Sequence, residues 1–449
     1  MTAEPAELMD GKIEPEGLSR SEPVQSFNGT ARMSKSLNFY AGLALVTAAV
    51  LMFQIVETRI LSVISWYYLS FFVVSIAMFG LTAGAVWVYL QGERFSGASL
   101  SRDLAYYGSI FAVTTAVSLL VQLNLRLENV EAFDFATLVD VGQSWAVLVT
   151  AVAVPFFYSG VVVSLALTRS PFPIGRVYGV DLVGAAAGCL GALLLLNLTD
   201  GPSAVLWVSA IAALGAWLFL KARIGDEDPA PVWAALFGRP QAIALALAVL
   251  AAANGATDFR IRPAYIKGTH VSESVSPIYV RWNSFSRIAQ YPLPASEPRM
   301  WGPAPNFSAQ DWSIEQRVLV IDGDAGTTSY RIEGEVEKAG FLKYDVTNLA
   351  YYLPDRGSAA VIGVGGGRDM LSARLFGVER VTGVELNPII MDLLTEEPGF
   401  REFTGIARYR PARSTVELGT WRWEALDMPF LDPFVRGSRH DGRAPATAD

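Results

Sequence analysis

The sequence predicts a multi-span α-helical membrane domain followed by an α/β, Rossmann-like domain with a small β unit at its start. Three observations predict it. Of 449 residues, 52% are hydrophobic and only 17% charged, below the quarter of charged residues usual in soluble domains. The apolar residues are concentrated between Phe39 and about Ala253, in runs long enough to cross a bilayer. Beyond them, an apolar strand, a glycine-rich loop, a helix and a second strand ending in an acid follow one another within residues 358–385.

Composition also excludes some classes. The formal charge of −8 argues against a nucleic acid held through its phosphates. A single cysteine, Cys189, rules out a disulfide framework. His270 and His440 lie far from each other and from Cys189, which leaves little for a zinc site, and no metal is expected.

Residues 1–37 are polar and rich in Pro, Ser, Glu and Gly, and read as a disordered tail. Residues 38–255 form the transmembrane domain. A span takes about 20 apolar residues, and six runs approach or exceed this: 39–57, 67–90, 105–123, 144–168, 178–199 and 203–220. A seventh run, 241–254, is shorter and suits a re-entrant segment as well as a span, so six to seven spans are expected. The runs lack barrel-like alternation, so backbone hydrogen bonding in lipid requires helices.

Basic residues set the orientation. With the N-terminus in the cytoplasm, the inner joints hold Lys12, Arg20, Arg32, Lys35, Arg94, Arg102, Arg169, Arg176, Lys221, Arg223 and Arg239, and the outer joints only Arg59 and Arg126. Six spans leave the soluble part in the cytoplasm and seven place it outside; the expectation is cytoplasmic. Gln54, Glu57 and Arg59 close the first run and read as interfacial side chains reaching for water; Asp181 reads the same way, and the sharper reading of these groups is a polar path. Gly80/Gly84 and Gly184/Gly188 have the spacing that lets helices approach closely. Packing inside one bundle is the plain reading, and a homodimer the alternative.

Residues 256–357 are β-rich. The segments 277–291 and 317–332 read as antiparallel strands with a turn at Asp322-Gly323-Asp324, and 341–353 as a helix. Residues 358–408 then hold the nucleotide-binding part. Ala359–Ile362 is a buried strand, Gly363, Gly365, Gly366 and Gly367 a tight loop, Arg368–Phe376 a helix, and Val381–Glu385 the second strand. Glycines let the backbone approach a ligand that meets the helix N-terminus, and Glu385 is placed to accept hydrogen bonds from ribose hydroxyls. The dinucleotide pattern GxGxxG needs glycine where Arg368 stands. The pattern present is GxGxG, the form of class I S-adenosylmethionine domains. NAD-like use and a purely structural glycine turn are the alternatives.

On VIGVGGGRD at 361–369, GVELNP at 383–388, VLVIDGDAGT at 318–327 and KYDVTNLAYYLP at 343–354, the chain resembles the spermidine synthase (polyamine aminopropyltransferase) family, in particular its membrane-anchored bacterial members. The apolar half contributes FQIVETRILSVISWYYLSFFVVSIAMFGLTAGA and YGVDLVGAAAGCLGALLL, so the resemblance covers roughly residues 40–408. It implies a transferase in the bacterial inner membrane. Decarboxylated S-adenosylmethionine, or S-adenosylmethionine, would be the donor and a small polyamine the acceptor. Gly363, Gly365, Gly366, Gly367 and Glu385 would hold the donor. Asp369 would stand in for the acid that relatives carry in the glycine loop. Tyr344 and Asp345 would fall in the substrate segment, and Asp322 in the strand-turn shaping the pocket's lid.

The chain leaves that pattern near Arg408. The family's later carboxylate base has no counterpart in sequence, so the catalytic residue is unassigned. Residues 409–449 are rich in Arg, Pro and Gly and read as a divergent, disordered tail. The expectation is an α/β sheet incomplete at its C-terminal side, from a chain truncated or read out of frame relative to its relatives. A methyltransferase acting on a membrane-near acceptor is the alternative on the same fold. A non-catalytic transport or sensing protein with a nucleotide-binding domain is the alternative of another class.

Overall fold

The computed structural model of the protein describes residues 27–95, 99–127, 135–224, 239–257, 260–271, 275–353 and 357–406, with short strands at 416–417 and 420–421. The N-terminal half is a helical bundle: α1 (Phe27–Ile64), α2 (Phe72–Leu90), α3 (Leu100–Leu123), α4 (Phe135–Arg169), α5 (Ile174–Leu198), α6 (Gly201–Ala222) and α7 (Pro240–Ala256). Six of them are long and apolar enough to cross a membrane, and α7 is shorter. The chain is therefore read as a multi-pass membrane protein. Large apolar side chains such as Phe79, Leu182, Val183, Leu190 and Leu194 face outward, as hydrocarbon allows and water does not.

α1 and α6 pack at the centre, flanked by α3 and α5. The two glycine pairs are spent inside this bundle. A Cβ on Gly84 would lie 2.2 Å from the Phe157 carbonyl oxygen of α4, and one on Gly188 would lie 2.4 Å from that of Ala48 in α1. Helix α1 begins earlier than expected, so residues 27–37, assigned to a disordered tail, belong to a helix. Residues 1–26 lie outside the described part.

The first helix also corrects the reading of its polar residues. Glu57 is 0% exposed and faces Gln122 of α3. Arg59 is 21% exposed and pairs with Asp322 at 2.8 Å. Glu57 does not reach toward water, and Arg59, only partly exposed, takes its partner from the C-terminal half that covers this end of the bundle.

After α7 the chain forms a small hairpin, β1 (Tyr265–Ile266) and β2 (Thr269–His270). An antiparallel sheet of β3 (Tyr279–Trp282), β4 (Arg287–Ser296), β5 (Ile314–Ile321) and β6 (Ala325–Tyr330) follows, in the order β3-β4-β5-β6. The β4–β5 register shifts between Leu293 and Ser296, where Pro294 has no N–H to donate. The helix expected over 341–353 is instead two 3₁₀ pieces, Val336–Tyr344 and Val346–Tyr352. Asp345 divides them, because its carboxylate accepts from the Thr347 N–H and caps the second piece.

Strand β7 (Ser358–Ile362), helix α8 (Arg368–Leu375) and strand β8 (Arg380–Val384) make one parallel βαβ unit. Two short helices follow, α9 (Pro388–Thr395) and α10 (Pro398–Thr404). Among the described residues β7 and β8 pair only with each other, and the last strands, Val416–Glu417 and Thr420–Trp421, pair separately. A doubly wound sheet is not shown. The antiparallel sheet and the βαβ unit share one core, including Ile288, Leu319, Tyr330, Phe341, Val361, Leu371 and Leu393. Most of the 409–449 tail lies outside the described residues.

The two halves meet at one end of the bundle. Arg59 donates to the Phe285 carbonyl at 2.8 Å as well as to Asp322. Lys267 donates from Nζ to the carbonyls of Ser62 and Ser65, satisfying the last turn of α1 as a cation at a helix C-terminus does. Ala264 N–H reaches the Leu123 carbonyl that ends α3, at 2.7 Å. The Trp282 ring lies against Gly201 at the start of α6. Every one of these contacts is at the end of the bundle opposite the N-terminal part of α1. Helix α7 runs back along α6, with Asn254 donating to Ser203 at 2.8 Å. The end of α7 and the globular half thus both lie at the end of the bundle opposite the start of α1.

Candidate functional site

The glycine loop forms because its backbone enters a region closed to ordinary side chains. Gly363, Gly365 and Gly367 have φ of +82°, +53° and +83°, values glycine adopts without a steric penalty. The ladder between β7 and β8 continues one step into the loop, with Gly363 N–H donating to the Val384 carbonyl at 2.8 Å. Gly367 then caps α8. Gly366 is pressed against β6: a Cβ there would stand 2.7 Å from Ser329 Oγ. The Ser329 hydroxyl donates to the Gly366 carbonyl at 3.0 Å.

Glu385 leaves the end of β8 and turns toward this loop. It is 7% exposed. One carboxylate oxygen accepts from Gly365 N–H and the other from Asn387 N–H, both at 2.9 Å. Each oxygen keeps a further lone pair for a hydroxyl donor. Above Gly363 there is open space, with nothing within 4 Å of a built Cβ. Ile362 and Leu386, 69% and 50% exposed, flank this opening with apolar surface. Open surface therefore lies beside a directed carboxylate, next to exposed apolar side chains.

Sequence reasoning missed the scaffold that holds Glu385. Asn387 accepts from Ile389 N–H at 3.2 Å and so caps α9, which opens with Pro388. It also accepts from Asn283 Nδ2 at 2.9 Å and donates to Ser286 Oγ at 2.8 Å. The Asn-Pro pair is a helix-start signal, but its partners lie in the β3–β4 turn, about 100 residues earlier, beyond any local reading.

Next to the loop lies a charged cluster. Arg368 sits between Asp345 at 4.0 Å and Asp369 at 3.0 Å, beneath the Trp301 ring at 5.8 Å. Asp369 is half-exposed and lies in the first turn of α8, where its negative charge suits the helix dipole. Asp345 is buried, and Trp301 N–H donates to it at 3.0 Å. Burial pushes the Tyr330 hydroxyl far above its ordinary range, so it stays a neutral donor, bonded to the Arg299 carbonyl.

The structure therefore brings Gly363, Gly365, Gly366, Gly367, Glu385 and Asp369 together, and links Asp345 to them through Arg368. Tyr344 packs its ring on Phe307 at 5.5 Å. Asp322 is engaged by other partners. That residue closes the β5–β6 turn with φ +51°, and its carboxylate is taken by Arg59 and by Arg287 N–H at 2.7 Å. Asp322 thus ties the two halves together, because α1 presents the Arg59 guanidinium to the turn. No family model, curated protein or solved structure matches the chain.

Proposed function

We propose that this protein is a membrane-embedded binder of an adenosyl sulfonium, held by the Gly363–Gly367 loop with its ribose hydroxyls on Glu385. The observation that carries this reading is the nearly buried Glu385 carboxylate bonded to Gly365 N–H beside the open space at Gly363. The donor would be decarboxylated S-adenosylmethionine or S-adenosylmethionine. Its chemistry is group transfer. An amine attacks the carbon next to the sulfonium, the C–S bond breaks, the thioether nucleoside leaves, and the amine gives up a proton. Aminopropyl transfer to a polyamine is the reaction that the family resemblance suggests, and methyl transfer is the same displacement at a smaller carbon. The chain's own contribution is to bind and orient the donor.

A second reading, binding without turnover, is favoured by a specific observation. The carboxylates around the loop are already engaged: Glu385 by backbone N–H groups, Asp345 by Trp301 and Thr347, and Asp369 by Arg368. A base for the attacking amine has to be within hydrogen-bond reach of it, and only Asp369 is half-exposed. Incubating the purified full chain with donor labelled in the transferable group separates the readings. Label on putrescine supports aminopropyl transfer, and label on a lipid or other acceptor supports methyl transfer. Saturable binding with no product supports the sensing role, and no binding at all defeats all three.

A further inference from the structure

The two ends of the bundle differ in charge, and the globular half sits on one of them. At the first end, Lys35 donates from Nζ to the Arg223 carbonyl at 3.4 Å, and Arg169 to the Gly92 carbonyl at 3.2 Å. Ser101 and Ile224 are bonded to each other there. These contacts join the start of α1, the end of α2, the start of α3 and the ends of α4 and α6. The same end carries Arg94 and Arg239 in its joints, and Arg102, Arg176 and Lys221 in the terminal turns of α3, α5 and α6. At the second end, the joints between helices hold Arg126, Arg59 is paired with Asp322, and Arg260, Arg262 and Lys267 follow α7 at the start of the globular half. This second end is the one that Ala264, Lys267, Trp282 and Asp322 cover.

Short basic joints stay in the cytoplasm, whereas a long following domain does not vote on orientation. The return pass that reverses the parity is α7. It has 17 residues and no charged side chain. At 1.5 Å per residue it is about 26 Å long, at the lower end of what crosses a hydrocarbon core. Leu245, Val249 and Leu250 are exposed on it, as expected of a lipid-facing side.

We infer that the globular half, with its Gly363–Glu385 site, faces the non-cytoplasmic side of the membrane. The inference rests on the chain being a multi-pass membrane protein, and not on which ligand the loop holds. It narrows the ligand's supply. A sulfonium nucleoside carries a fixed charge and does not pass an apolar layer unaided. A donor made in the cytoplasm therefore reaches this site only through a prior transport step, and any other ligand is a solute of the outer compartment.

Cysteine labelling in intact bacterial cells tests this with the full chain. Cys189 is exposed on α5 and is first replaced (Cys189→Ala). Single cysteines are then placed at two exposed positions, Ala295→Cys on β4 and Glu93→Cys in the α2–α3 joint. Both variants must react fully in detergent, which shows that they are folded and accessible. With a membrane-impermeant maleimide, Ala295→Cys is expected to label equally before and after permeabilisation, and Glu93→Cys only after it. Labelling of Glu93→Cys alone in intact cells, of both, or of neither overturns the inference. None of these outcomes depends on donor binding, so failure of the orientation and failure of the ligand assignment are distinguishable.

Discussion

Gly363 and Gly367 share a left-handed backbone and differ in surroundings, so one substitution tests two things. At Gly367 a Cβ would stand 1.8 Å from Ile406 Cδ1 with φ at +83°; Gly367→Ala is expected to cost about 2–3 kcal/mol through strain and overpacking. At Gly363 nothing lies within 4 Å, so Gly363→Ala costs only the left-handed penalty of about 1–2 kcal/mol. Its methyl projects into the space assigned to the ligand. Thermal unfolding in detergent should therefore rank Gly367→Ala well below Gly363→Ala. Titration should show weakened ligand binding for Gly363→Ala even where it is folded. Equal stability of the two variants would contradict the geometry of the loop. Glu385→Gln keeps the shape and removes the charge. Charged hydrogen bonds are worth about 1.5–3 kcal/mol, so the affinity for a ribose-bearing ligand should fall roughly 10- to 100-fold.

Among the elements, α2 and α4 approach each other closely at Gly84. Gly84→Ala places a methyl 2.2 Å from a backbone oxygen and forces the helices apart, at about 1–3 kcal/mol. Gly142, also in α4, has nothing within 4 Å. Gly142→Ala should be neutral, or stabilising by about 0.5–1 kcal/mol, through helix propensity. Aggregation-free yield and midpoint of thermal unfolding check the pair; comparable effects at both sites would mean that the α2–α4 contact is misplaced. At the junction, Lys267 serves the end of α1. Burial lowers its ammonium pKa, opposed by Asp324 and Asp322. Lys267→Met should free the carbonyls of Ser62 and Ser65 and speed amide exchange around the last turn of α1, with exchange in the glycine-loop unit unchanged.

The whole molecule shows which features a sequence can carry. Six long helices were legible because lipid demands continuous apolar runs. The βαβ unit was legible because a glycine loop between a strand and a helix has few other uses. The start of α1 was not, since residues 27–37 look polar when read alone yet continue a helix that is held downstream. Nor was the break at Asp345, where a side-chain cap overrides an apolar spacing that suits a helix. The ion pair of Asp322 was not legible for a physical reason: its partner Arg59 is 263 residues away, and no local pattern encodes that meeting. The pair joins the two halves, so a double-mutant cycle of Arg59→Ala and Asp322→Ala should give a coupling of about 1–2 kcal/mol; additive effects would reduce it to a surface contact.

The central claim concerns what the glycine loop holds. Its most direct test is equilibrium titration of the detergent-solubilised full chain with decarboxylated S-adenosylmethionine, S-adenosylmethionine and NAD, alongside Glu385→Gln. Saturable, one-to-one binding of an adenosyl sulfonium is expected, with weaker or absent binding of NAD and a marked loss of affinity in the variant. Binding that Glu385→Gln leaves unchanged, or no saturable binding of any of the three, would contradict it.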